Sequence, residues 1–221
     1  MTRPLKLLIT AGPTREMLDP VRFLSNISTG HMGYALARAA KVRRHRVTLV
    51  SGPTALKPPK GLRFIPITSA RDMQKACSRV FPEQDALIMT AAVCDFTAPA
   101  ISAQKIRRTR TKKFTLKQTP DIVAGLARNK GKRVIIGFCL ETQNWLANAK
   151  RKIREKKLDG IAAHYYSKTH VPFGDRKITT AFVEKGGRVR ILRRQSKTVI
   201  ARKLLGWLEG MIKNDSESRP K

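Results

Sequence analysis

The chain is 221 residues long and carries 46 Lys plus Arg against 15 Asp plus Glu, a formal net charge of +31, with 41% hydrophobic and 6% aromatic residues. Cys77, Cys94 and Cys139 form an odd set without C-x-x-C spacing, which argues against a disulfide framework or a zinc site and points to a reducing compartment. No apolar run approaches the ~18 residues of a membrane span and no signal-peptide layout follows Met1, so a soluble, cytoplasmic protein without a membrane partner is expected.

No Pro/Gly/Ser-rich linker divides the chain and no internal repeat occurs, so a single domain over 1–213 is expected, with a polar, frayed tail over 214–221. The few aromatics make its core mainly aliphatic. Taken in order, strand-length apolar runs stand at 5–10, 46–50, 63–67, 86–90, 133–138 and 160–163, and helical patterns at 33–43, 70–81, 120–128, 143–157 and 197–212. Near the end, "ITTAFVE" and "RVRILRR" flank "KGG", a hairpin signal. The alternation predicts an α/β fold, Rossmann-like, with a mainly parallel sheet, helices on both faces and antiparallel strands toward the C-terminus. In such sheets ligands bind beyond the carboxyl ends of the strands. The three unusual segments each follow a strand: the long loop after the first, "AAVCDF" after the strand at 86–90, and "CLET" after that at 133–138. They are expected to gather at one edge.

The first of these is unusually long for a strand-to-helix connection. In "AGPT", Gly12 lets a phosphate approach the main chain, and "SNISTGHMGYA" adds hydroxyl, amide and glycine groups before the helix. This is a nucleotide or phosphate cradle without the G-x-G-x-x-G or G-K-[ST] spacing of the dinucleotide and Walker A loops. Tyr165 and Lys168 are one residue too close for a Y-x-x-x-K pair, which weakens the case for a nicotinamide enzyme. Asn26 can donate to an anionic oxygen without bringing a counter-charge, or it can simply bridge loops. Asp95 stands before the basic run "QKIRRTRTKKFTLK" at 104–117, an arrangement suited to ribose, base or Mg²⁺ on one side and triphosphate oxygens on the other. Lys152 and Lys156, i and i+4, share a helix face beside Trp145, Ala149 and Ile153; alone, that reads as a solvated face. Glu16, Asp19, Asp121, Glu141 and Asp175 also lie at turn or strand-end signals, where caps and turns favour acids anyway.

Taken together, "ITAGPTREMLDPVRFLSN.S.G.MGYALA", "AAV.DF", "KI..", "PDI" and "GF..ET" resemble the phosphopantothenoylcysteine synthetases (phosphopantothenate–cysteine ligases), the ligase half of the bifunctional coenzyme A biosynthesis flavoprotein, from Leu7 to about Asp175. The resemblance implies a homodimer that consumes CTP in bacterial members or ATP in eukaryotic ones. It activates 4'-phosphopantothenate as an acyl-nucleotide and joins it to L-cysteine, with Mg²⁺ as counter-ion. It further implies Asn26 and Lys105 as catalytic residues. Gly12, Met89, Thr90, Ala91, Asp95, Pro120, Asp121, Ile122, Val123, Phe138, Lys152 and Lys156 are then nucleotide-binding, and Ser28, Gly30, His31 and Ala92 phosphopantothenate-binding. Such chemistry needs cations around a leaving pyrophosphate rather than paired carboxylates or a nucleophile triad, so Cys94 and Cys139 are expected to be packing residues.

Three departures stand out. The lid motif K-x-K-K reads "KIRR"; His31 occupies a position where lysine is common; and "HYY", His164 to Tyr166, replaces an Asn-Asp pair. The decarboxylase half has no counterpart in this sequence, so a monofunctional ligase working with a separate decarboxylase is expected. The two substrates carry too few negative charges to balance the basic excess. A rival reading is therefore a nucleic-acid-binding protein on an inactive ligase scaffold, although aromatics interleaved with the bases and an RNP-type string are lacking. A solvated basic surface is the plainer explanation of the charge.

Overall fold

The computed structural model describes residues 3–108 and 113–217, with side chains through 214. Part of the basic run, 109–112, and the end of the predicted tail, 218–221, lie outside the described residues. In chain order the elements are β1 (Lys6–Ala11), β2 (Arg15–Met17), β3 (Phe23–Ser25), α1 (His31–Val42), β4 (Arg46–Ser51), β5 (Arg63–Pro66), α2 (Ala70–Val80), a 3₁₀ turn (Phe81–Glu83) and β6 (Ala86–Met89). There follow β7 (Phe96–Thr97), β8 (Lys117–Gln118), α3 (Ile122–Arg128), β9 (Val134–Glu141), α4 (Trp145–Glu155), β10 (Gly160–Tyr165), β11 (Ile178–Glu184), β12 (Val189–Gln195) and α5 (Lys197–Glu217).

Eight strands form one sheet in the order β12-β11-β10-β9-β6-β1-β4-β5. β5, β4, β1, β6, β9 and β10 run parallel, and β11 and β12 are antiparallel additions. The parallel strands are nearly continuous apolar runs because both of their faces are covered. Along β1, Leu7, Ile9 and Ala11 enter one core with α1 and α5, while Leu8 enters the other with α2, α3 and α4. Helix α2 shows why these segments are helical: Met73, Ala76, Cys77 and Val80 recur on its buried face, and a Ser69–Asp72 capping box closes its first turn. Helix α1 lies so close to the sheet that a Cβ on Gly33 would stand 2.5 Å from the Ala11 Cβ and 2.9 Å from the Thr10 carbonyl.

The connection from β1 to α1 to β4 leads to one side of β1, while β6 lies on the other. The crevice between β1 and β6 is therefore the topological switch point, where the carboxyl ends of the strands leave room for a ligand. Two details differ from the sequence reading. Two small hairpins, β2 with β3 and β7 with β8, stand out from this edge. Helix α5 continues to Glu217, past the expected end at 212, because "NDSE" contains neither Gly nor Pro to stop it.

Candidate active site

The three loops expected to gather do so. At the end of β1, Thr10 ties the first strand to β6: its hydroxyl donates to the Met89 sulfur at 3.3 Å and accepts from the Ala91 N–H at 3.1 Å, while Thr90 Oγ1 donates to the Thr10 carbonyl. Beyond it the Ala92 N–H donates to the Gly12 carbonyl at 3.0 Å, and Thr14 Oγ1 accepts from the Cys94 N–H at 2.9 Å. Asn26, on the far arm of the long loop, donates from Nδ2 to the carbonyls of Val93 (2.9 Å) and Ala92 (3.2 Å). The amide thus bridges loops, its Nδ2 shared between two backbone carbonyls. Gly12 and Gly30 both take φ near +70°, and they nearly touch: a Cβ on Gly30 would lie 3.5 Å from the Gly12 nitrogen. Gly30 opens α1 with no side-chain cap, beside half-buried Ser28 and His31, whose Nδ1 is 2.9 Å from Thr29 Oγ1.

The basic segment is held at its start by a buried acid. Asp19 Oδ1 accepts from the N–H groups of Val21 and Arg22, both at 2.8 Å; Oδ2 accepts from Arg22 Nε at 2.9 Å and from the Ile106 N–H at 3.1 Å. Arg22 Nη2 also donates to the Ile106 carbonyl. Burial would raise the Asp19 pKa, but these bonds outweigh it and hold the carboxyl far below the usual range. Lys105 is the exposed residue just before this clamp, with no partner among the described residues. The Asp19–Arg22 clamp thereby fixes the backbone of Ile106, next to Lys105.

A second group lines the neighbouring strand ends. Half-buried Phe138 lies on β9, and Glu141 at the end of β9 receives Lys152 Nζ at 2.6 Å and Asn148 Nδ2 at 3.0 Å. Lys156 pairs with Asp121 at 2.8 Å, and Asp121 caps α3 by accepting from the Ala124 N–H. Burial alone would raise the Asp121 pKa; the Lys156 and Ala124 bonds prevail and lower it. The helix face is thus a pair of ion-paired lysines rather than a freely solvated one. Asp95 connects the two groups through its carbonyl, which accepts from the Thr119 N–H at 2.9 Å beside Pro120. Its carboxylate is exposed and has no partner among the described residues. Met89 and Ile122 bury their side chains, whereas Val123 and Ala91 stay half-buried.

The "HYY" departure forms an aromatic wall. His164 is buried on β10, its Nδ1 3.0 Å from Thr180 Oγ1 and its ring 5.5 Å from Phe138. Burial first, then the charge of Lys197, push its pKa down to about 4 against a backbone hydrogen bond at Thr179, so the imidazole is neutral at pH 7. Tyr165 packs against Trp145 and Tyr166 against Phe173. Burial raises the thiols of Cys77 to about 12 and Cys139 to about 11, and the Cys94 thiol donates to the Phe96 carbonyl. With their pKa values raised, the Cys77 and Cys139 thiols stay un-ionised at pH 7 and are poor nucleophiles. Among the described residues no three of His, Cys, Asp and Glu come together as a metal-holding group.

The profile of the DNA/pantothenate metabolism flavoprotein C-terminal domain matches residues 3–211. The chain belongs to this family. It is 42% identical over 214 residues to the coenzyme A biosynthesis bifunctional protein CoaBC of Bacillus subtilis, covering 96% of this chain and 52% of that protein. With the Escherichia coli K12 protein of the same name the identity is 40% over 197 residues, 86% of this chain and 48% of that one. The chain thus spans about half the length of these curated relatives. The solved C-terminal domain of a CoaBC protein superposes with a TM-score of 0.82 at 37% identity, covering 95% of this chain and 96% of that domain.

As a member of the DNA/pantothenate metabolism flavoprotein C-terminal domain family, the chain also shows which contributors sequence reasoning passed over. The hydroxyls of Thr10, Thr14 and Thr119 cross-link the site loops, Thr119 Oγ1 donating to the Cys94 carbonyl at 2.6 Å. The available signal was a threonine ending an otherwise aliphatic strand. Asp19 stood out as an acid at a turn, but its grip on Ile106 did not.

Proposed function

We propose that this chain is a phosphopantothenate–cysteine ligase, acting through an acyl-nucleotide made from CTP. The observation that carries the reading is the convergence on the β1–β6 crevice of the Gly12–Gly30 cradle, Asn26 and a clamped basic segment beginning at Lys105. The bacterial relatives, coenzyme A biosynthesis proteins by name, support both the pathway and the choice of CTP, which the family resemblance attaches to bacterial members.

On this reading the carboxylate oxygen of 4'-phosphopantothenate attacks the α-phosphorus of CTP, forming a P–O bond as the bond to pyrophosphate breaks. The amine of L-cysteine then attacks the acyl carbon; the C–N bond forms, CMP leaves with the bridging oxygen, and the amine releases a proton. Gly12 and Gly30 leave main chain open to phosphate. Lys105 brings charge to the leaving group, and Lys152 and Lys156 turn from Glu141 and Asp121 toward triphosphate oxygens. Asn26 exchanges a backbone carbonyl for an oxygen of the mixed anhydride. Mg²⁺ is assigned to the triphosphate as its counter-ion. Exposed Val21, Phe23, Phe96, Phe114 and Leu116 lie on or beside the two small hairpins, an apolar surface suited to a second copy of the chain.

The test is pyrophosphate release from protein, Mg²⁺, 4'-phosphopantothenate and L-cysteine, with CTP and ATP supplied in turn. Release with CTP in preference to ATP is expected. Release only with ATP would keep the ligase and reject the nucleotide, and release with neither would reject the ligase.

A further inference from the structure

The charge that the proposed reaction does not use has a location. The amino ends of the parallel strands, opposite the candidate active site, begin at Lys6, Arg46, Arg63, Ala86, Val134 and Gly160, and the β11–β12 turn closes on the same edge. Here a cavity of about 600 Å³ opens between β11, β12, the end of α1 and the first half of α5. Arg188, Arg190, Arg202 and Lys203 line it, all exposed and none with a carboxylate or side-chain hydrogen-bond partner among the described residues. The wall also carries Trp207, half-buried, one face stacked on Phe182 with centroids 4.8 Å apart and planes within 4°.

Of the acids in this region, Glu184 shares the cavity wall and accepts from the uncharged Trp207 Nε1 at 3.0 Å, leaving one carboxylate among the four unpaired cations; Glu209 binds Arg43 and His45, Asp85 binds Arg3, and Asp159 binds Lys130. Beyond the cavity the unpaired cations continue along the edge with Arg44, Arg46, Lys132 and Lys185. A mononucleotide would satisfy the cavity alone. A cationic strip that runs on past it, with an aromatic ring on the wall, matches a phosphodiester backbone whose bases can stack.

We propose that the amino edge of the sheet, centred on Arg188, Arg190, Arg202, Lys203 and Trp207, binds a single strand of nucleic acid, independently of the crevice at the opposite edge. The proposal differs from a diffuse attraction of a basic protein for polyanions, because it assigns the affinity to one edge. It also needs no ligase activity for its test.

The experiment is fluorescence anisotropy of a fluorescein-labelled single-stranded RNA of about 16 nucleotides, titrated with the wild-type chain over a salt series. It is repeated with two variants of equal charge change: Arg188→Glu/Arg202→Glu at the edge, and Arg71→Glu/Lys75→Glu on α2. Circular dichroism melts establish that both variants fold. The expected result is binding at physiological salt, at least about tenfold weaker in the edge variant and within about threefold of wild type in the α2 variant, with a salt slope reduced by about 1.4 in the edge variant. Equal losses in the two variants would overturn the proposal in favour of diffuse charge, and so would an absence of binding at physiological salt. Displacement of the RNA by an equal concentration of ATP or CTP would replace the strand with a mononucleotide and overturn it as well. Should the edge variant fail to fold, Arg190→Ala and Lys203→Ala singly are read in the same assay.

Discussion

His164 gives the structure a specific pH signature. Its imidazole is buried between Phe138, Thr180 and Lys197, and its pKa falls from the ordinary 6.5 to about 4. For a base whose folded pKa is depressed, the unfolded chain binds the extra proton, so the stability contributed is fully present above 6.5 and is lost as pH falls toward 4. The two values make the loss about 2 kcal/mol by pH 5 and about 3 kcal/mol by pH 4. His164→Asn removes this titration while leaving an amide able to meet Thr180 Oγ1 across the β10–β11 pair. Urea unfolding of both proteins at pH 7.5 and pH 5 isolates the effect, because every other titrating group is shared. Wild type should lose about 2 kcal/mol more than the variant between the two pH values. Equal losses would mean that the imidazole protonates as freely in the fold as outside it, and the buried neutral histidine would have to be given up.

Other consequences are read at the crevice. Gly33→Ala forces a Cβ to within 2.5 Å of Ala11 and 2.9 Å of a backbone oxygen, so α1 must lift off β1; a cost of about 1–3 kcal/mol and a melting temperature lower by roughly 5 °C are expected, and an unchanged melt would refute the close approach. Asn26→Asp sets a carboxylate against two carbonyls and removes the donor proposed for the anhydride. Turnover should fall at least ~100-fold with nucleotide affinity kept within about threefold, and full turnover would remove Asn26 from the chemistry. Lys152→Ala should raise the KM for the triphosphate about tenfold while leaving the KM for cysteine unchanged; equal KM values for wild type and variant would leave Lys152 a partner of Glu141 alone.

The sheet was legible because its parallel strands are covered on both faces and so appear as aliphatic runs, and "KGG" marked the antiparallel return of β11 and β12. The hairpins β2–β3 and β7–β8 were not, since two or three residues per strand show no alternation and their pairing depends on partners outside the segment. The candidate site divides the same way. Gly12, Asn26 and Ala92 sit in local motifs, and the fold brings them together as their spacing after strand ends suggested. The clamp of Asp19 on Ile106 spans 87 residues and has no local signature. Lysines 152 and 156 read as a solvated face because Glu141 and Asp121, which hold them, come from other elements.

The acyl-nucleotide itself is tested most directly by isotope transfer. 4'-Phosphopantothenate labelled with ¹⁸O in its carboxylate is converted with CTP and L-cysteine, and the nucleotide product is examined by mass spectrometry. The account predicts that one labelled oxygen passes to CMP, since the bridging oxygen of the mixed anhydride leaves with the nucleotide. Label appearing in inorganic phosphate or pyrophosphate, with CMP unlabelled, would contradict it.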